Sequence, residues 1–124
     1  LDTLLETSRL LKEAGARKVR LDTDGLVNLR EGRDVIGELA AVIDAISVSI
    51  NAPDGETYAE LCPNPHGEKA WEAAVAFLEG CVDAGIPWVQ GSVVGVPDLD
   101  IEACRELIEN TGARFRERAY HIMG

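Results

Sequence analysis

Glycine-rich phosphate loops, clustered cysteines and long apolar runs are all missing from this chain, and each absence excludes a class of function. Neither a P-loop nor a Gly-x-Gly-x-x-Gly motif occurs, and no motif of a Ser, His and Asp hydrolase is present. No run of 18 apolar residues and no charged-then-apolar leader occurs in the 124 residues, so neither a transmembrane helix nor a signal peptide is expected. Cations are scarce: 12 Lys and Arg stand against 22 Asp and Glu, a formal net charge of −10. A nucleic-acid backbone or an anionic membrane demands clustered Lys and Arg, so neither is expected as a partner.

Cysteine is sparse as well. Cys62, Cys81 and Cys104 lie 19 and 23 residues apart, spacings that suit neither a zinc site nor a cluster-binding loop. An odd count without a leader argues against a disulfide framework and fits a reducing cytoplasm. Cys81 and Cys104 fall in helical patterns, where a buried thiol acts as a small apolar residue. His66 and His121 have no sequence neighbours that suggest catalysis, and surface positions are expected for both.

What is present is an ordinary globular composition, 46% apolar and 27% charged, read as one domain over residues 1–124. A chain of this length buries roughly two-thirds of its unfolded surface. It opens at Leu1 directly in helix-forming sequence, as a piece of something longer would. Thr3-Leu-Leu-Glu6 is a capping box, and the first helix is expected to stop at Gly15. Lys18 to Thr23 reads as a strand, and a loop opened by Asp24-Gly25 runs to about Arg33. A helix over Asp34 to Ile43 leads to a strand that ends at Asn51-Ala-Pro53. A short helix over Glu56 to Leu61 interrupts a long break that ends at Gly67.

Glu68 to Ala84 is the strongest helix, with Trp71, Ala74, Val75, Leu78 and Val82 on one face. Trp88 to Val94 is the third strand. A helix capped by Asp98 or Asp100 follows, with Ile101, Cys104, Leu107 and Ile108 as its stripe, and Arg114 to Tyr120 is the last strand. Four αβ units with short links imply an α/β fold with a parallel sheet, either a partial (β/α) TIM-type barrel or a curved open sheet.

Candidate chemistry lies at the carboxyl ends of those strands, where α/β folds bind ligands. The stretch Ala45-Ile-Ser-Val-Ser-Ile-Asn51 alternates apolar with polar, although a parallel strand between helices is normally apolar throughout. Arg20 and Asp22, Gln90 and Ser92, and Arg116 and Arg118 repeat the split, which favours a shared polar concavity. Asp22 and Asp24 are readable as a carboxylate pair, or as a cross-sheet ion pair and the opening of a glycine turn. Gly91 and Gly95 either let backbone approach a nucleotide or mark a bulge or a strand end.

Three stretches together resemble one family. Val19-Arg-Leu-Asp-Thr-Asp-Gly-Leu26 resembles the Thr-Asn-Gly strand end of radical SAM enzymes, and Ala45 to Asn51 resembles the following strand. Gly91-Ser-Val-Val-Gly-Val-Pro-Asp98 is similar to the Gly-x-Ile-x-Gly-x-x-Glu strand of that family. With Asp54-Gly-Glu-Thr-Tyr58 and Asp100-Ile-Glu-Ala-Cys104, the chain looks closest to the small radical SAM proteins linked to TatD-type nucleases.

The resemblance implies a partial (β/α)₆ barrel, a [4Fe–4S] cluster and reductive cleavage of S-adenosylmethionine to a 5′-deoxyadenosyl radical. It assigns Thr23, Asp24 and Gly25 to the first strand end and Ser49 and Asn51 to the methionine or ribose portion. Gly91, Val93 and Gly95 would border the adenine. Asp22, Arg116 and Arg118 fall on the substrate side. Asp24 stands where the family has Asn, and Asp98 where it has Glu. The Cys-x3-Cys-x2-Cys loop and the Gly-Gly-Glu strand end are absent, so the cluster ligands and the amino-terminal half of the barrel are expected upstream of Leu1. This chain alone is expected to hold no cofactor or metal and to be inactive.

Two other readings stay open: an aldolase- or epimerase-like TIM-barrel fragment using Asp22, Asp24 or Arg116 on an anionic small molecule, and a non-catalytic module that docks a partner on its acidic surface. A severed barrel would expose the strand Lys18 to Thr23 as a sheet edge, and self-association through that edge is expected.

Overall fold

Four stretches of alternating apolar and polar residues become the strands of one parallel sheet in the computed structural model, which describes residues 2–13 and 19–119. They are β1 (Arg20–Thr23), β2 (Ala45–Ser49), β3 (Trp88–Val94) and β4 (Arg114–Arg118), and their order in the sheet is β1-β2-β3-β4. Between and before them run α1 (Asp2–Glu13), α2 (Val27–Glu31), α3 (Ile36–Ala40), α4 (Gly55–Leu61), α5 (Glu68–Asp83) and α6 (Ile101–Asn110). The α/β class and the parallel sheet are those expected from the repeated αβ units. No helix among the described residues is long and apolar enough to cross a membrane. Gly15, Lys18, Tyr120 and His121, named in the sequence reading, lie outside the described residues.

When each strand is added beside the previous one through a right-handed crossover, the helices collect on one face of the sheet. Accordingly α5 packs across β2 and β3, α6 packs across β3 and β4, and α2, α3 and α4 pack on α5. The core lies between these layers. Ile46, Val48, Ile50 and Val93 from the sheet side meet Leu39, Phe77, Leu78 and Ile108 from the helices, all at most 1% exposed. Burial of a side chain of this size contributes about 1.5–3 kcal/mol, so this single apolar layer is the main source of stability. Cys81 and Cys104 belong to it as apolar thiols.

The buried face of α5 is Ala70, Ala74, Phe77, Leu78 and Cys81, rotated from the stripe read in the sequence. Trp71, Val75 and Val82 are half-buried flanks, because the sheet is approached through the small Ala70 and Ala74, and Trp71 instead donates its indole N–H to the Ala52 carbonyl at 2.9 Å.

Three boundaries differ from those expected, each for a local reason. The loop expected from Asp24 to Arg33 contains α2. Its entry is built by side chains, with Thr23 Oγ1 accepting from the Gly25 N–H at 3.1 Å and Asp24 Oδ1 from the Leu26 N–H at 3.0 Å. Gly32, at φ 69°, ends α2 in the left-handed conformation that favours glycine. The helix expected over Asp34 to Ile43 shrinks to α3, because Asp34 accepts from the Ile36 N–H at 2.9 Å in a turn and Asn28 accepts from the Val35 N–H at 2.8 Å. β2 stops at Ser49 rather than Asn51. The N–H groups of Ile50 and Asn51 both turn to the Ser92 carbonyl, at 2.9 and 3.3 Å, and Asn51 takes a φ of 63°.

Candidate functional site

Paired residues of neighbouring parallel strands point to the same side of the sheet, so the register decides which polar residues share a face. Arg20, Ala45 and Trp88 form the first row, and Asp22, Ser47, Gln90 and Arg114 the second. Ser49, Ser92 and Arg116 form the third, and Val94 with Arg118 the fourth. The four polar half-faces anticipated from the sequence thus lie on one face of one sheet, opposite the face on which α5 and α6 pack. That face carries four arginines and a single aspartate, in a chain whose acids outnumber its Lys and Arg by 22 to 12.

The lower rows are satisfied within the protein. Gln90 Nε2 donates to Ser47 Oγ at 3.0 Å, and both residues are buried. Arg20 Nε donates to Asp22 Oδ1 at 3.4 Å. The guanidinium carbons of Arg20 and Arg114 lie 5.0 and 5.9 Å from the centre of the Trp88 ring, within cation–π range. The centre of the polar face is therefore closed by its own side chains. Trp88 and Arg114 are the contributors that the sequence reading did not single out as site residues. Their parity with Gln90, Ser92 and Arg116 was the available signal.

The third row differs. The hydroxyls of Ser49 and Ser92 have no hydrogen-bond partner among the described residues, and Arg116 and Arg118 make no ion pair there. Ser92 is only 1% exposed, and since no buried side-chain polar atom among the described residues lacks a partner, its hydroxyl is the part that reaches the surface.

At the carboxyl edge of the sheet, the residues assigned to the cofactor separate into two sets. Ser49 lies on the polar face. Asn51 closes a cavity of about 230 Å³ with Leu61, Cys62, Val94 and Val96, and its Nδ2 lies 3.8 Å from Cys62 Sγ as donor. An asparagine held at positive φ beside a cavity is the kind of backbone conformation that clusters at ligand sites.

The second set turns to the helices. Thr23 shares the register row of Val48 and Gly91 on the packed face. Gly25 is buried at φ 78°, and a Cβ on it would lie 2.8 Å from Val48 Cγ1 and 3.0 Å from the Ala74 Cα. Asp24 forms an ion pair with Arg30. Gly91 is in mid-strand with Ile108 in the space of its missing side chain, and Val93 is fully buried on the same face. Gly91 is thus neither a bulge nor a strand end, and it serves helix packing. Gly95 donates its N–H to the Arg118 carbonyl at 3.0 Å, and a Cβ there would meet Glu117. Asp98 stands exposed at φ 68°.

Two larger depressions lie elsewhere. One of about 470 Å³ is lined by residues including Ile86, Pro87, Ala113 and Arg114 at the amino ends of β3 and β4. Another, of about 360 Å³, lies where α1 meets α3. Both are away from the carboxyl edge.

Cys81 and Cys104 do not fit a cluster ligand set. Burial pushes the Cys81 thiol up to about 12 and the Cys104 thiol up to about 11, whereas a metal ligand must be a thiolate. Among the described residues no group of three His, Cys, Asp or Glu side chains is arranged to hold a metal ion. The 230 Å³ cavity, apolar apart from the Asn51 amide, does fit the heteroaromatic base of a nucleoside. It is smaller than the roughly 300–1,000 Å³ of a site for a whole drug-sized ligand. No family model, curated protein or solved structure matches this chain.

Proposed function

We propose that the chain is the S-adenosylmethionine- and substrate-side wall of a partial (β/α) barrel in a radical SAM-type enzyme, without the cluster ligands and inactive alone. The observation that carries this reading is adjacency. The three stretches that resemble the family's motifs, at Thr23 to Gly25, Ser49 to Asn51 and Ser92 to Gly95, end neighbouring parallel strands β1, β2 and β3 in the family's order. Sequential strands with helices on one face also support a curved sheet of barrel type, whose polar face, on which neither α5 nor α6 packs, is the interior.

The residues that would hold the cofactor are those that face the carboxyl edge. Asn51, Leu61, Val94 and Val96 would enclose the adenine, with the Asn51 amide as a hydrogen-bonding group for its ring nitrogens. Ser49 would contact the ribose or methionine portion. Thr23, Gly25, Gly91 and Val93 act behind this wall, shaping it through the packing of α2, α5 and α6. S-adenosylmethionine, when bound, supplies the reactive 5′ carbon, and the chain's own part is to orient it and exclude water. The iron ligands belong to a preceding part of the parent protein, the missing partner of this wall.

The arginine-rich strand β4 favours a second reading, an aldolase- or epimerase-like barrel wall that holds an anionic small molecule. The upstream coding sequence separates the two. A Cys-x3-Cys-x2-Cys within roughly 80 residues before Leu1, the span of about two βα units, is expected. Its absence would remove the radical SAM reading. A second test is Val94→Trp in the reconstituted parent, which fills the cavity and is expected to abolish S-adenosylmethionine binding in equilibrium dialysis. Unchanged binding would place the base elsewhere.

A further inference from the structure

Charge, register and hydrogen bonding single out one row of the polar face. Its four arginines are not used alike. Arg20 is paired with Asp22, and Arg114 lies against Trp88. Arg116 and Arg118 have no ion pair among the described residues, although the chain carries a large excess of carboxylates. The second row closes on itself through the Gln90–Ser47 hydrogen bond. The third row, Ser49–Ser92–Arg116, presents two partnerless hydroxyls and one unpaired guanidinium side by side.

We infer that the Ser49–Ser92–Arg116 row is a binding site for the carboxylate or phosphate of a small anionic ligand, with Arg118 as a second cation one register step away. Neighbouring strands are about 4.8 Å apart, so hydroxyls on paired residues reach two oxygens of one phosphate or carboxylate. A guanidinium on the next strand adds a planar fork suited to the same groups. Elsewhere the net charge of −10 repels anions, so this face is where the protein attracts one. The row lies on β2, β3 and β4 at the carboxyl side, next to the residues that close the 230 Å³ cavity. On the function proposed above, this ligand is the substrate, and Ser49 stands where it meets the ribose or methionine portion of the cofactor; that identification rests on that reading, whereas the anion site itself does not.

The test is isothermal titration of the full 124-residue chain, without iron or S-adenosylmethionine, using inorganic phosphate and succinate as separate probes. Saturable binding of one probe or both is expected, and the two arms tell a phosphate site from a carboxylate site. Arg116→Ala should weaken it roughly 10- to 100-fold, the loss for one charge-assisted hydrogen-bonding partner. Ser92→Ala should weaken it less, and Arg9→Ala, on α1, should leave it unchanged. Arg116→Lys keeps the charge without the fork and should fall between wild type and Arg116→Ala. Circular dichroism establishes that each variant is folded. Absence of saturable binding, or equal binding by wild type and Arg116→Ala, would overturn the inference. So would a short oligonucleotide that binds far more tightly than phosphate, which would make the face a nucleic-acid surface. Because no cofactor is present, failure here leaves the radical SAM reading standing, and failure of that reading leaves this site standing.

Discussion

Gly91→Ala separates a glycine that admits a ligand from one that admits a helix. A Cβ at this position would lie 2.8, 3.0 and 3.1 Å from Ile108 Cγ2, Cγ1 and Cδ1, so α6 or the Ile108 side chain must move. Ile108 is fully buried between α6 and the sheet, and overpacking of this kind costs about 1–3 kcal/mol. All three clashing atoms belong to one side chain, which makes the effect separable. Ile108→Ala alone should cost about 2–5 kcal/mol by opening a cavity. In that background Gly91→Ala fills part of the void, so its own penalty should vanish or change sign. The two substitutions should therefore couple by at least about 1 kcal/mol. Urea unfolding of the four proteins at constant slope measures it. Equal penalties in both backgrounds would refute the packing role of Gly91. Unchanged stability of Gly91→Ala together with lost cofactor binding in the parent would return the residue to the ligand side.

Thiol reactivity should follow burial: in the folded chain iodoacetamide at neutral pH should label Cys62 alone, with Cys81 and Cys104 reacting only after unfolding, and mass spectrometry showing native labelling of Cys81 would contradict this. The Asp54 carboxyl, which accepts from the Thr57 N–H at 2.7 Å at the start of α4, is held below its ordinary value of 3.8 by that backbone hydrogen bond. A depressed carboxyl pKa stabilises the fold above the ordinary value and loses that stabilisation as the pH falls through the depressed one, so Asp54→Asn should flatten the acid limb of a thermal-stability profile. An unaltered limb would assign that limb to other groups. β1 and β4 are the two edges of the four-stranded sheet, and an edge presents unpaired backbone groups to other chains. Sedimentation should show concentration-dependent self-association through the β1 edge, and a strict monomer at high concentration would contradict it.

What was legible in the sequence depended on how local its cause was. β2 and β3 could be read because alternation with a period of 2 is a property of neighbouring residues, and α5 because its pattern persists over 16 residues. α2 could not, and α3 only within the longer helix expected over Asp34 to Ile43; each has five residues. Their limits come from side-chain hydrogen bonds of Asp24, Asn28 and Asp34 to backbone N–H groups, too few residues for a periodic signal. The shared polar face was legible as parity on each strand. Which residues meet within it was not, since the Ser49–Ser92–Arg116 row joins positions far apart in the chain, and only the strand register sets it. Glycine was the least informative residue, because a missing side chain looks the same whether a ligand or Ile108 occupies the space.

The proposed role of this wall is to orient S-adenosylmethionine in an iron–sulfur enzyme. Its most direct test joins the chain to the segment that precedes it in the parent protein, reconstitutes the whole with iron and sulfide, adds a reductant and S-adenosylmethionine, and measures 5′-deoxyadenosine. Formation that depends on iron and is lost in Val94→Trp is expected. A parent protein that assembles its cluster, binds S-adenosylmethionine and yet yields no 5′-deoxyadenosine would contradict it.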